Sequence, residues 1–482
     1  MIIRISGHDF HYECENLCRV FFPNEKIKIS YDPEGSDPKT VITEYDGETA
    51  RARAEIDGES RDFSQAAAPE KAELIIARMI YRALSEITGY TPPWGVLTGV
   101  RPSKLMIKLN ELYGEAGAKD YFENDLLVSP QKTALAQSVA RTEDKIISRS
   151  RPESFSLYIS IPFCPSRCSY CSFVSHSITN SNAKKLFPDY IEYLAREIEL
   201  TGEYAAKNGL RLESIYFGGG TPGILSAREL DTLQSAIERS FELGNLREYT
   251  VEMGRPDTVT PEKLEMLRKH NVDRISINPQ TFNQKTLDII GRKHTVQQAL
   301  DAYNLSLGYG FACINMDLIA GLPGEVFEDF RLSLDTAAEL SPENITVHSL
   351  ALKRSSSLNQ SGAQVESGKE AGRMLDYSYD TLNRSGYIPY YMYRQSKCVG
   401  NLENTGWCRP GKEGLYNVYM MEECHTVLAA GAGGVTKLCE PGGSNVERIF
   451  NYKYPYEYIS GFDEIKRRKA GIDEFYSRKG VK

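Results

Sequence analysis

The sequence contains no apolar run approaching the roughly 20 residues that a membrane-spanning helix needs. Its start, Met1-Ile-Ile-Arg-Ile-Ser-Gly, alternates like a strand and lacks the long apolar core of an export signal. Positive charge is not in surplus: 57 Lys and Arg stand against 65 Asp and Glu, a net −8. A nucleic-acid partner is therefore not expected, and a polyanionic ligand would need a local basic pocket. A disulfide framework is missing as well. The ten cysteines are scattered except for one trio, which, without an export signal, predicts a reducing, cytoplasmic setting. Cys14, Cys18, Cys313, Cys398, Cys408, Cys424 and Cys439 read as packed thiols, with Cys398 and Cys408 the two that could lie near a site. What remains is a globular composition, 41% apolar and 25% charged. Its 482 residues suffice for two or three domains and a large core.

The trio is Cys164-Pro-Ser-Arg-Cys168-Ser-Tyr-Cys171, preceded by Tyr158-Ile-Ser-Ile-Pro-Phe. Closely spaced thiolates on a loop are how iron–sulfur clusters are held. Three thiolates cap three corners of a four-iron cube and leave the fourth iron to a non-protein ligand. Zinc is the alternative, but structural zinc usually takes four ligands from two knuckles. No second knuckle stands nearby.

Residues 1–153 read as an α+β arm. Alternating runs at Ile2–Ser6, Lys26–Tyr31, Val41–Tyr45 and Arg51–Ile56, with Asp-Gly turns, predict a small antiparallel sheet. Helices are expected at Pro69–Thr88, from Ser103 to about Leu112, and from Pro130 to about Ile147. Trp94, in a Pro- and Gly-rich segment, reads as a packing anchor rather than a substrate contact.

From residue 154 to 390, six strands alternate with helices: Leu157–Ile161, Ser214–Phe217, Tyr249–Glu252, Arg274–Asn278, Cys313–Ile319 and Ile345–Leu350. That pattern predicts an α/β fold with a parallel sheet and right-handed crossovers, an incomplete (β/α)6 barrel. Chemistry in such folds gathers where strands end. The cysteine loop, Gly218–Pro222, Glu252, Gln280, Asp317 and Ala351 all fall at strand ends. Residues 391–482 read as a cover over the site. There Arg394 and Lys397 are candidates for binding carboxylates, and Val427–Val435 reads as a strand and turn packed on the barrel.

The ordered set Tyr158, the trio, Gly218-Gly-Gly-Thr-Pro, Val251-Glu-Met-Gly-Arg-Pro, Arg274-Ile-Ser-Ile-Asn-Pro-Gln, Gly291-Arg292 and Asp317-Leu-Ile-Ala-Gly-Leu-Pro resembles the oxygen-independent coproporphyrinogen III oxidase family of radical S-adenosylmethionine (SAM) enzymes. The long arm looks like the coproporphyrinogen dehydrogenase variant of Gram-positive bacteria. The resemblance implies a 4Fe-4S cluster on Cys164, Cys168 and Cys171, and one or two SAM molecules. It places Tyr158, Phe173, Gly219, Gly220, Thr221, Glu252, Gln280, Arg292, Asp317 and Ala351 at SAM. It further implies a tetrapyrrole substrate, a reducing donor such as flavodoxin or ferredoxin, and oxidative decarboxylation of propionates to vinyl groups. One departure stands out. Family oxidases carry another cysteine two positions after the trio, where this chain has Phe173, closer to the related haem-chaperone branch. Against that branch, its His-Asn-x-x-Tyr-Trp pattern is absent; the region reads Tyr416-Asn-Val-Tyr-Met-Met. A haem-carrying chaperone and another radical SAM reaction on a tetrapyrrole are the rival expectations.

Overall fold

The computed structural model describes residues 1–32, 37–171, 175–351, 368–395, 398–440 and 445–478. Phe173 and Lys397 lie outside them.

The arm opens with a five-stranded sheet: β1 (Ile2–Ser6), β2 (Lys28–Ser30), β3 (Lys39–Tyr45), β4 (Thr49–Ile56) and β5 (Glu59–Ala66), in the order β2-β1-β3-β4-β5. The sheet is mixed, not antiparallel as expected, because β1 runs parallel to both β2 and β3. Helix His11–Phe21 lies between β1 and β2 and carries the chain back to its starting end, so the next strand runs parallel. The Asp-Gly turns do make hairpins. Asp57 and Gly58 both adopt positive φ (50° and 94°), and the turn joins β4 to the polar edge strand β5. Helix Pro69–Thr88 packs its buried Ala72, Ile76, Met79, Ile80 and Leu84 as its apolar periodicity predicts, and Gly89 ends it at φ 64°.

Among the described residues the main sheet has eleven strands. Its centre is six parallel neighbours: β6 (Ser154–Ile161), β9 (Arg211–Gly219), β10 (Glu248–Gly254), β11 (Arg274–Ile277), β12 (Cys313–Ala320) and β13 (Asn344–Ser349). Beside the cysteine loop, β7 (Phe163–Cys164) and β8 (His176–Ser177) make a short parallel pair. The C-terminal region widens the sheet at both ends. Past β13 lie β15 (Glu403–Cys408) and β14 (Ile388–Arg394), antiparallel. Past β6 lies β16 (Thr426–Ala430), parallel, then β17 (Val435–Cys439) and β18 (Val446–Phe450). The expected strand at Val427 is thus a full member of the sheet. Among the described residues the edges β14 and β18 do not pair, so the barrel stays open. Helix Ser181–Lys207 is capped by Asn180, whose side chain accepts from the amides of Asn182 and Ala183.

A buried polar network ties the arm to β14 and β15. Lys132, on helix Pro130–Ile147, is 1% exposed and bonds Glu403 at 2.7 Å and Asp376 at 3.0 Å. Trp94 donates its indole N–H to Glu403 at 2.7 Å and is buried, as a packing anchor should be. Arg394 is no carboxylate anchor. It is buried over the Trp94 ring, and its guanidinium donates to the carbonyls of Leu97, Gly99 and Asn401.

Candidate active site

A cavity of about 390 Å³ opens at the C-terminal ends of the parallel strands. Every described member of the expected set lines it: Tyr158, Cys164, Cys168, Cys171, Gly219, Gly220, Thr221, Glu252, Gln280, Arg292, Asp317 and Ala351. Strand polarity explains the convergence, since in parallel α/β sheets the loops leaving the C-terminal ends share one rim.

The trio occupies one wall. The β7–β8 pair brackets its loop, with Ile178 donating its amide to the Cys164 carbonyl at 3.0 Å. Burial pushes the Cys164 thiol up; the Thr221 hydroxyl, 3.4 Å from its sulfur, opposes this. The guanidiniums of Arg255 and Arg292 each lie 3.9 Å from the Cys168 sulfur. Among the described residues, no three His, Cys, Asp or Glu side chains close on a point suited to a single metal ion. All three thiols nevertheless line the one cavity, and three thiolates are the donor set of a cube with one corner per thiolate.

Glycine is needed beside this loop for a reason that concerns the chain itself. A Cβ on Gly220 would lie 2.5 Å from the Phe163 carbonyl and 2.9 Å from that of Ile161. The amides of Gly220 and Thr221 bond those same carbonyls at 2.8 Å. The glycine loop is thereby stitched to the chain entering the cysteine loop. Gln280 holds φ at 69°, a left-handed conformation rare for a residue with a side chain, and its amide donates to the Asp317 carbonyl at 2.9 Å. Its side-chain oxygen is buried without a protein partner. Strain and an orphaned polar atom together mark a ligand position. Arg292 donates to the Asn278 carbonyl at 2.6 Å and to the Tyr170 hydroxyl at 3.2 Å, while its Nε is buried and unpartnered. Among the described residues it pairs with no carboxylate, so its charge is available to one.

Carboxylates supply the opposite charge. Burial, with the nearby charge of Asp317, pushes the Glu252 carboxyl up to about 7 against the bond it accepts from Tyr216. Tyr216 stacks on Tyr416 at 4.4 Å between ring centroids and on Tyr158 at 6.4 Å. Burial also acts on Asp317, but His348, Asn315 and Thr346 outweigh it and hold that carboxyl below its usual value. Asn315 donates to Asp317 at 2.7 Å, and His348 Nε2 stands 3.7 Å from its other oxygen.

The sequence reading missed Tyr170, Tyr216, Arg255, His348 and Asn404, and placed Tyr391 and Tyr393 only within the cover over the site; all of them line the cavity. Strand alternation carried a signal for some of them. Asn315 and Asp317, like Thr346 and His348, are polar at every second position of otherwise apolar strands, the pattern of an inward polar face.

The model of the radical SAM superfamily matches residues 158–337. The oxygen-independent coproporphyrinogen-III oxidase-like protein HemZ of Bacillus subtilis (strain 168) is 35% identical over 97% of this chain and 97% of its own length. The heme chaperone HemW of Escherichia coli (strain K12) is 27% identical over 64% of this chain and 76% of its own. Among solved structures, coproporphyrinogen III oxidase (HemN) from Escherichia coli, a radical SAM enzyme, shares the fold with a TM-score of 0.53 at 22% identity. It covers 68% of this chain and 73% of its own.

Proposed function

This chain belongs to the oxygen-independent coproporphyrinogen-III oxidase-like family of radical SAM proteins, whose cofactors are a 4Fe-4S cluster and SAM, and from that premise we propose that it decarboxylates two propionates of coproporphyrinogen III to vinyl groups, giving protoporphyrinogen IX. The observation that carries this reading is the single cavity on which the cysteine trio and the polar strand ends converge. When bound, the cluster and SAM supply a 5′-deoxyadenosyl radical able to take hydrogen from the β-carbon of a propionate. Loss of CO₂, with one electron passing to an external one-electron acceptor, would then leave the vinyl group. Cys164, Cys168 and Cys171 would hold the cluster, with Arg255 and Arg292 supporting the thiolate charge. Arg292, without a protein carboxylate, would take the carboxylate of SAM. Glu252, Gln280 and Asp317 would receive its hydroxyl and ammonium groups, with Tyr158 and Ala351 beside them. The tyrosine walls would exclude water from the reacting carbon. A small reducing protein such as flavodoxin or ferredoxin would deliver the electron.

The test is anaerobic turnover of reconstituted protein with coproporphyrinogen III, SAM and reductant. We expect a product lighter by two HCOOH equivalents, deoxyadenosine formed in step, and loss of both in Cys168→Ala. A second reading, a haem carrier, is favoured by the match to heme chaperone HemW and by Phe173 in place of a further cysteine. Stoichiometric haem binding without substrate-dependent deoxyadenosine would select it.

A further inference from the structure

We propose that His348 anchors a carboxylate of the substrate on the cavity wall opposite the cysteine loop; this rests on the tetrapyrrole reading above and deepens it. The described lining holds three basic side chains, Arg255, Arg292 and His348. The two arginines sit at the cysteine wall. Arg255 is paired with Asp257 at 3.0 Å and bonded to Ser166 at 3.0 Å. Arg292 is fixed to the Asn278 carbonyl and Tyr170. His348 lies on β13, and β6, whose end opens into the cysteine loop, is the other outer member of the six parallel strands. Beyond the residues assigned to SAM, the cavity continues past β13 onto Tyr391, Tyr393 and Asn404 from β14 and β15, and His348 stands beside that part, open to a second molecule.

The charges on that side require a cation if the second molecule is an acid. Asp317 from β12, and Glu252 from β10 once it ionises, face the cavity and would repel a carboxylate. His348 is the cation placed among them. Its Nε2 stands 3.7 Å from Asp317, too far for a hydrogen bond, so the pair leaves the imidazolium able to turn to a ligand. Its side chain is 26% exposed, against 19% for Asp317. Burial lowers the histidine's pKa, but the nearby Asp317 carboxylate, with Asn404 from β15 and the charge of Glu252, raises it further than burial lowers it. The protonated form thus persists to higher pH than in an ordinary histidine.

The test titrates reconstituted holoprotein, anaerobically, with coproporphyrin III and with its tetramethyl ester, following porphyrin fluorescence. We expect His348→Gln to weaken coproporphyrin III about tenfold, the loss of one charge-assisted bond, and to leave the ester unchanged. In the wild type, affinity for the acid should fall as pH rises through the raised histidine pKa, a dependence needing no variant and absent from the ester. His348→Lys should recover much of the affinity. Equal binding of the acid by wild type and His348→Gln overturns the proposal while leaving the tetrapyrrole reading intact. Failure of the wild type to bind either porphyrin overturns both. A parallel loss of SAM affinity in His348→Gln would assign the histidine to positioning Asp317, and also overturns the proposal.

Discussion

Glu252 keeps its proton to about pH 7 because it is buried beside a second carboxylate, Asp317. The unfolded chain releases the same proton near 4.5. Between those values the folded state binds more protons, so this group's contribution to stability falls as pH rises through that window. The loss approaches about 3 kcal/mol as an upper figure, since a unit of pKa is worth about 1.4 kcal/mol. Cofactor-free Glu252→Gln should therefore be more stable than wild type at pH 8, with the gap closing toward pH 5, as urea midpoints would report. Parallel profiles would mean that the carboxyl is ionised throughout. At this scale the sequence spoke through motif order. It identified Glu252 and Asp317 because each stands near the end of a strand within a recognisable run, and Arg292 through the Gly291-Arg292 pair in its place in the motif order. It did not identify His348 or Asn404, whose importance comes from a wall assembled by strands that are remote in sequence.

The elements that make the rim depend on one another through backbone contacts. Gly220 presses against the carbonyls of Ile161 and Phe163, so a methyl group there must displace the segment that carries Cys164. We expect Gly220→Ala to retain its helix and strand content by circular dichroism but to take up clearly less iron and sulfide on anaerobic reconstitution. Gly372→Ala, on helix Gly368–Arg384 with open space at its Cβ, is the control and should load normally. Wild-type loading in Gly220→Ala would show that the cysteine loop tolerates the shift. Most elements were legible because caps and periodicity are local. Pro69 and Gly89 bound the arm's long helix as their conformations require. Strand β5, Glu-Ser-Arg-Asp-Phe-Ser-Gln-Ala, was not legible, because an exposed edge strand needs no apolar alternation. The parallel placement of β1 was equally hidden, since period-2 patterning does not encode which strands pair.

Across the whole molecule, the arm and the cavity wall are joined at Lys132. Local sequence could not show this, because Lys132 and Glu403 are 271 residues apart and each reads as a surface charge. Nor could it show that β14 and β15 extend the sheet and bring Tyr391, Tyr393 and Asn404 into the cavity. Burial would push the Glu403 carboxyl up, yet Lys132 and the Trp94 indole outweigh burial and hold it below its ordinary value. The pair therefore contributes stability above the unfolded carboxylate pKa, and loses it as pH falls through the folded value. Replacing Lys132 by Met removes the counter-charge and leaves a buried carboxylate, a change costing about 3–5 kcal/mol. Lys132→Met should unfold at lower denaturant than wild type at pH 7.5. Without its partner Glu403 protonates at higher pH, so the deficit should shrink as the buffer is acidified toward pH 5. A second substitution, Glu403→Gln, should recover part of the deficit at pH 7.5, since it removes the charge but keeps an acceptor for Trp94. A deficit of equal size at both pH values and in the double variant would locate the loss in packing of the lysine stem rather than in its charge.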